Sequence, residues 1–200
     1  MYKNLIKDIY EYGINNNVPI IKDEGLDKLL EVISVYKPKR ILEIGTAIGY
    51  SSIMMAINSD SFIDTIERNK KMYEIAISNI SKYNLSSRIN VYLGDALNID
   101  INLLNNDYDM IFIDGAKAQY RRFFLKFAPL LKKGGIIFTD NLSFHGLVQK
   151  YRDNTLTDVS KDLRALVRKI NDYNIWLKDY KEFDTTFFDI GDGIAISIKR

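Results

Sequence analysis

The sequence predicts an α/β fold with an open, mostly parallel β-sheet and helices on both faces. From residue 40 onward, short apolar runs alternate with amphipathic stretches, as in repeating strand–helix units. The run YDMIFID is apolar at nearly every position, as expected of a central parallel strand buried on both faces. The last two β-rich runs are separated by Gly191-Asp192-Gly193, a turn signal that favours a terminal hairpin.

Length and composition indicate one globular domain, predicted over residues 1–200, with 46% hydrophobic and 27% charged residues. The absence of Cys excludes a disulfide scaffold, a Cys-ligated metal centre and a thiol nucleophile. The net charge of +2 is weak, so a nucleic-acid partner would need a local basic patch. The apolar runs are too short to span a membrane and the N-terminus does not read as a signal peptide, so we expect a cytoplasmic protein.

The elements follow in order along the chain. Residues 1–37 read as two or three helices, and Pro38 marks the boundary to the first strand. Seven strands are predicted over residues 40–45, 61–67, 89–93, 108–114, 136–140, 182–190 and 194–200. Helical spacing of apolar residues predicts helices over residues 51–58, 70–83, 120–131 and 160–177. Residues 132–135 are predicted as a turn.

Ligands of such sheets bind beyond the carboxyl ends of the strands, so the residues at those ends are candidates for a site. Gly45 and Gly49 follow the first strand in a G-x-x-x-G spacing, which differs from the G-x-G-x-x-G of dinucleotide sites. Glu67 ends the second strand and can accept both hydroxyls of a ribose. Gly94-Asp95-Ala96 ends the third and could bracket an adenine. Together with Glu43, this ordered set indicates S-adenosylmethionine.

The fourth and fifth strands end in Asp114 and in Asp140-Asn141. Neighbouring parallel strands lie ~4.8 Å apart, so three oxygen donors would converge at this edge and suit Mg²⁺. The alternative is that each acid only caps the helix that follows it. Lys117 lies three residues beyond Asp114, where a metal and a cationic cofactor favour the neutral amine, which suits a general base.

The segments ILEIGTAIGYSS, TIERN, GDAL, IFIDGAK and TDN resemble the divalent-metal-dependent O-methyltransferases related to catechol and caffeoyl-CoA O-methyltransferases. The resemblance is closer to those members that methylate 5-hydroxyuridine in bacterial tRNA, and it covers most of the chain. It implies a Rossmann-like class I methyltransferase fold with seven strands, the last antiparallel. It also implies a homodimer, and a helical extension over residues 1–37 that contributes to the substrate site.

The resemblance also implies roles for individual residues. Metal ligation falls to Asp114, Asp140 and Asn141, and Lys117 matches the proposed base, acting next to Asp114. Contacts to S-adenosylmethionine fall to Ile20, Tyr50 or Ser51, Glu67, Asp95 and Asp114. One departure is small: this chain has Asp-Gly-Ala-Lys where close relatives often have Asp-Ala-Ala-Lys.

We therefore expect an S-adenosylmethionine- and Mg²⁺-dependent O-methyltransferase that converts 5-hydroxyuridine at the wobble position of the tRNA anticodon to 5-methoxyuridine. A small catechol-like phenol is the alternative acceptor, and a catalytically silent binding protein or a nicotinamide dehydrogenase are rival classes. His145, the single His, is expected at the acceptor mouth. The candidates for RNA contacts are Lys22, Lys39, Arg40, Arg121, Arg122, Lys132, Lys133, Lys150, Arg152, Lys161, Arg164, Arg168 and Lys169.

Overall fold

A seven-stranded sheet flanked by helices forms the frame of the computed structural model, which describes residues 5–200. The strands are β1 (Arg40–Ile44), β2 (Phe62–Glu67), β3 (Ile89–Leu93), β4 (Tyr108–Ile113), β5 (Leu131–Thr139), β6 (Phe183–Phe188) and β7 (Ile194–Lys199). Their spatial order is β3-β2-β1-β4-β5-β7-β6, and β7 runs antiparallel to both of its neighbours. This topology confirms the predicted fold class, including the antiparallel last strand.

Seven α-helices surround the sheet in the described part of the chain. They are α1 (Lys7–Asn15), α2 (Asp23–Tyr36), α3 (Tyr50–Ile57), α4 (Lys70–Lys82), α5 (Tyr120–Phe127), α6 (Leu147–Arg152) and α7 (Lys161–Asp179). The first two precede β1 as expected, while residues 1–4 of the predicted extension lie outside the described residues. Helix α6 was not predicted, because six residues are too few for a periodic pattern to emerge. None of these helices combines the length and the hydropathy that a membrane span needs.

The structure corrects the sequence prediction around β5. This strand begins at Leu131, so the predicted turn at residues 132–135 lies within it. The register passes from Tyr108 opposite Leu131 to Met110 opposite Ile136, which makes this stretch a bulge. The preceding helix ends at Phe127 instead of residue 131, and a 3₁₀ turn follows (Ala128–Leu130). It contains Pro129, which lacks the N–H that would continue the helix.

The sheet is buried on both faces, as the apolar strands predicted. Along β4, Met110 and Phe112 pack on the side of α2 and α3, whereas Ile111 and Ile113 pack on the side of α5 and α7. Each apolar side chain of such a core stabilises the fold by roughly 1.5–3 kcal/mol relative to the exposed state. Because both faces are covered, the carboxyl edge of the parallel strands is the place where a ligand can reach the sheet.

Candidate active site

A cavity of about 520 Å³ lies at the carboxyl ends of the parallel strands. Its lining includes the proposed base Lys117 and every predicted cofactor residue except Glu43 and Gly49. These predicted cofactor residues are Ile20, Gly45, Tyr50, Ser51, Glu67, Asp95, Ala96 and Asp114. Residues that are 94 positions apart in the chain, such as Ile20 and Asp114, therefore meet around one space.

The loop after β1 lies directly against the loop after β4. Gly45 has a φ of +104°, and a Cβ at this position would lie 2.7 Å from the carbonyl oxygen of Asp114. The same Cβ would lie 3.1 Å from the Cα of Gly115. Both the backbone conformation and the close approach thus require glycine, and together they bring the two loops into contact at the cavity wall.

Glu43 lies behind the cavity and does not line it. Its carboxylate is fully buried and accepts hydrogen bonds from Ser51 Oγ (2.5 Å), Thr65 Oγ1 (2.6 Å) and the Ser52 hydroxyl. Burial raises the pKa of Glu43 above its ordinary value, and the three hydroxyl donors oppose that shift. Because Ser51 does line the cavity, Glu43 can act on a ligand through this side chain.

Two acids on the cofactor side are oriented by main-chain N–H groups. Glu67 accepts from the N–H of Ala47 at Oε2 (2.8 Å) and from the N–H of Asn69 at Oε1 (2.7 Å). Asp95 accepts from the N–H of Leu97 (2.8 Å). Each carboxylate oxygen has a second lone pair, so both acids can still accept a hydrogen bond from a ligand.

The two acids predicted as metal ligands meet at the amide of Asn141. Its Nδ2 lies 3.2 Å from Asp114 Oδ1 and 2.8 Å from Asp140 Oδ2. Burial raises the pKa of Asp114 well above its usual range, and the nearby charge of Asp140 adds to this. Burial also raises the pKa of Asp140 to about 6. Lys117 counteracts both shifts by its positive charge.

This arrangement fits a divalent cation. Among residues 5–200 no group of three or more His, Asp or Glu side chains is arranged to bind a metal, and the side chain that adjoins the two acids is the Asn141 amide. Rotation of the Asn141 amide would turn its oxygen towards the point that its nitrogen now occupies between the two acids. Two carboxylates and an amide oxygen are hard donors of the kind that Mg²⁺ prefers.

Of the three predicted metal ligands, Asp114 lines the cavity, whereas Asp140 and Asn141 do not. The phenolic O–H of Tyr120 donates to the main-chain oxygen of Asp140 (3.0 Å) and fixes the end of β5. Lys117 begins a 3₁₀ turn (Lys117–Gln119), and its Nζ lies 6.0 Å from the ring centroid of Phe144.

His145 is exposed beside this site and does not line the cavity. Its Nδ1 lies 3.2 Å from the Nζ of Lys22 and 3.6 Å from Oδ2 of the buried Asp192. The sequence did not indicate that Lys22, His145 and Asp192 are neighbours, because Lys22 precedes α2, His145 follows β5 and Asp192 lies in the β6–β7 turn. It also did not assign Arg68, Asn98 and Gln119 to the cavity, although each follows a strand end within a few residues.

The sequence matches the family model described as O-methyltransferase over residues 1–200. A caffeoyl-CoA O-methyltransferase of Populus kitakamiensis is 31% identical over 194 residues, which cover 93% of this chain and 80% of that protein. A Staphylococcus aureus structure assigned to caffeoyl-CoA O-methyltransferase is 41% identical, with a TM-score of 0.90 over 98% of this chain and 92% of that one. A Bacillus cereus O-methyltransferase in complex with SAH is 26% identical, with a TM-score of 0.81 over 97% and 90%.

Proposed function

Since the chain belongs to the O-methyltransferase family, whose members depend on S-adenosylmethionine, we propose that its cavity binds this methyl donor beside a divalent-cation site. The observation that carries the proposal is the position of Asp114. It lines the cavity and also lies 3.2 Å from the Asn141 amide that joins the two acids. A methyl donor and an acceptor held on the two sides of Asp114 would be next to each other.

The proposed cofactor contacts follow from the side chains around the cavity. Glu67 would accept hydrogen bonds from the ribose hydroxyls, because its carboxylate is already oriented by two N–H groups. Asp95 and Ala96 would flank the adenine, and Gly45 lets the main chain approach the ligand closely. Ile20, Tyr50 and Ser51 would complete the enclosure.

On the acceptor side, Asp114, Asp140 and Asn141 would hold the cation, proposed as Mg²⁺. Such an ion acts as a Lewis acid that favours the ionised form of an acceptor hydroxyl. Lys117 Nζ, in its neutral amine form, would accept the hydroxyl proton, and the acceptor oxygen would then take the methyl group from the sulfonium. One C–O bond forms as the C–S bond breaks, which leaves S-adenosylhomocysteine. Placement of the two reactants can contribute ~7–11 kcal/mol to such a step.

The acceptor we propose is 5-hydroxyuridine at the wobble position of tRNA, whose ring hydroxyl adjoins a carbonyl oxygen. Cationic side chains support a polyanionic partner, because Arg68, Lys117 and Arg122 line the cavity. Several other candidates have internal partners. Lys132 Nζ donates to Asp109 Oδ1 (2.7 Å), Arg40 Nε lies 3.4 Å from Asp107 Oδ1, Arg152 Nε donates to Asn171 Oδ1 (2.7 Å) and Arg164 donates to the Leu156 carbonyl (2.5 Å). RNA contacts would therefore fall mainly to the remaining exposed basic candidates.

The second candidate acceptor is a catechol-like phenol, free or as a coenzyme A ester. It offers the same pair of adjacent oxygens, and the relatives named above act on caffeoyl-CoA according to their names. The phosphates of coenzyme A could use the same cationic side chains as an RNA backbone. Surface charge alone therefore does not separate the two acceptors, and the experiment has to include both.

The test uses methyl-labelled S-adenosylmethionine with Mg²⁺ and the purified protein. Separate reactions receive tRNA that carries 5-hydroxyuridine, a simple catechol, or caffeoyl-CoA, each with an EDTA control and an Asp140→Ala control. The proposal expects label in the tRNA, and expects EDTA or Asp140→Ala to remove it. Label in a phenol alone would replace the tRNA acceptor by the second candidate. Full activity with excess EDTA would overturn the proposed cation site.

A homodimer is also proposed, on the resemblance stated above. Light scattering of the purified protein tests it, with a mass near twice 23.2 kDa expected. A mass of one chain would contradict it.

A further inference from the structure

We infer that Asp192, in the β6–β7 turn, is a positioning residue that fixes the loop carrying Asn141, the third ligand of the proposed cation site. The inference rests on the cation site described under Proposed function. The motif Gly191-Asp192-Gly193 predicted only a hairpin turn from the sequence. In the structure the Asp side chain is 3% exposed and points into the molecule instead of into solvent.

The loop at residues 141–146 has a conformation that its own residues do not favour. Asn141, Phe144 and His145 have φ values of +65°, +48° and +57°, and Gly146 follows with +74°. For residues other than glycine a left-handed conformation is unfavourable, because the Cβ comes too close to the following carbonyl oxygen. Such a loop persists only when its surroundings hold it, and conformations of this kind are common at functional sites.

The β6–β7 turn provides those surroundings. Oδ1 of Asp192 accepts from the N–H of His145 (2.5 Å) and from the hydroxyl of Ser143 (3.2 Å). The main-chain oxygen of Asp192 accepts from the N–H of Ser143 (2.7 Å), and that of Gly193 accepts from the N–H of Leu142 (2.9 Å). A Cβ on Gly193 would lie 2.7 Å from the nitrogen of Ser143, so the approach is as close as glycine permits.

The hydrogen bonds from the side chain use only one oxygen of Asp192. Its Oδ2 is buried, accepts no hydrogen bond from the described residues, and lies 3.6 Å from His145 Nδ1. Asn at this position would keep the Oδ1 acceptor and place an amide N–H near the imidazole. The amide is therefore a conservative replacement that should hold the loop, whereas Ala removes the acceptor.

The effect of losing Asp192 should be selective. Asn141 is the first residue of the loop, and release of the loop would move its amide away from Asp114 and Asp140. None of residues 141–146 or 191–193 lines the cavity proposed for S-adenosylmethionine. Loss of Asp192 should therefore weaken the binding of a divalent cation and leave the binding of the cofactor product unchanged.

Binding of Mn²⁺, measured by electron paramagnetic resonance, and binding of S-adenosylhomocysteine without metal, measured by calorimetry, test the inference. In Asp192→Ala we expect Mn²⁺ binding to weaken ~10–100-fold, as for other supports of metal ligands. The affinity for S-adenosylhomocysteine should stay within about twofold, since its cavity is intact. Asp192→Asn should restore most of the Mn²⁺ affinity. Asp189→Ala, an exposed acid of the same hairpin, is the matched control and should change neither affinity.

Equal Mn²⁺ binding by wild type and Asp192→Ala would overturn the positioning role, and so would a parallel loss of both ligands in a folded variant. Wild-type protein that binds no Mn²⁺ would overturn the proposed cation site, and the positioning role with it. If Asp192→Ala does not fold, Asp192→Glu replaces it, because one added methylene displaces the acceptor while the charge is kept. The same selective loss is expected there, and its absence contradicts the inference.

Discussion

Gly45→Ala tests how tightly the loops after β1 and β4 are joined at the cavity. The added Cβ would lie 2.7 Å from the Asp114 carbonyl oxygen, whereas ordinary contacts begin at 3.4 Å. The two loops would therefore have to separate by 0.7 Å, the difference between these distances, to restore an ordinary contact. In addition, alanine does not favour the φ of +104° found at this position.

Both effects have magnitudes that can be estimated. Overpacking and the strained backbone together should lower the free energy of unfolding by about 2–5 kcal/mol. Displacement of Asp114 on the scale of ~1 Å should lower kcat by about 100-fold, since reacting groups tolerate little misplacement. We also expect the affinity for S-adenosylhomocysteine to fall by roughly tenfold or more, because Gly45 itself lines the cavity.

Urea unfolding, calorimetry with S-adenosylhomocysteine and methyl transfer measure these three quantities. Gly134→Ala is the matched control, because Gly134 has a φ of +75° but no atom within 4 Å of its Cβ position, in the bulge of β5. Backbone strain alone should lower the free energy of unfolding of Gly134→Ala by about 1–2 kcal/mol, and its affinity for S-adenosylhomocysteine and its kcat should stay unchanged. If Gly45→Ala behaves like Gly134→Ala in all three assays, the reasoning about the close approach is wrong.

Two further variants test the buried acid and the proposed base. Burial raises the pKa of Glu43 above its ordinary value of 4.5. Above this pH the unfolded chain ionises while the folded state favours the neutral acid, so the stability of the wild type should fall as the pH rises. The free energy of unfolding, measured in urea at about pH 5 and about pH 8, should therefore increase for Glu43→Gln relative to wild type at the higher pH. A difference between the two proteins that does not change with pH would contradict the raised pKa of Glu43. Lys117→Ala should lower kcat ~10²–10⁴-fold, as expected for loss of a general base. Lys71→Ala, at an exposed position of α4, is its control, and a Lys117→Ala enzyme with wild-type kcat would exclude the role.

The sequence was sufficient for the fold class and for the strand-end residues that line the cavity. Parallel strands place their carboxyl ends at one edge, so the residue that ends each apolar run could be assigned to the site directly. Asp114 and Asp140 were brought together in this way, and the structure places both beside the Asn141 amide. The reasoning works because β2 ends in Glu67, and because β4 and β5 are followed directly by Asp114 and Asp140.

The features that the sequence did not predict depend on tertiary contacts that no local pattern encodes. Glu43 lies within β1, one residue before its end, and its side chain contacts Ser51, Ser52 and Thr65 instead of the cavity. The bulge at residues 132–135 reads as a turn because Lys-Lys-Gly-Gly has the composition of one. Asp192 has the local signature of a hairpin turn, and only the approach of residues 141–146 gives its carboxylate a partner.

The central claim is that one edge of the sheet holds the methyl donor and a divalent cation side by side. Crystals grown with S-adenosylhomocysteine and Mn²⁺ test it directly, because anomalous scattering locates manganese independently of the protein atoms. The account predicts an anomalous peak between Asp114, Asp140 and Asn141, with the nucleoside in the cavity beside Glu67 and Asp95. Bound nucleoside without a peak at these three residues, or manganese bound elsewhere on the chain, would contradict it.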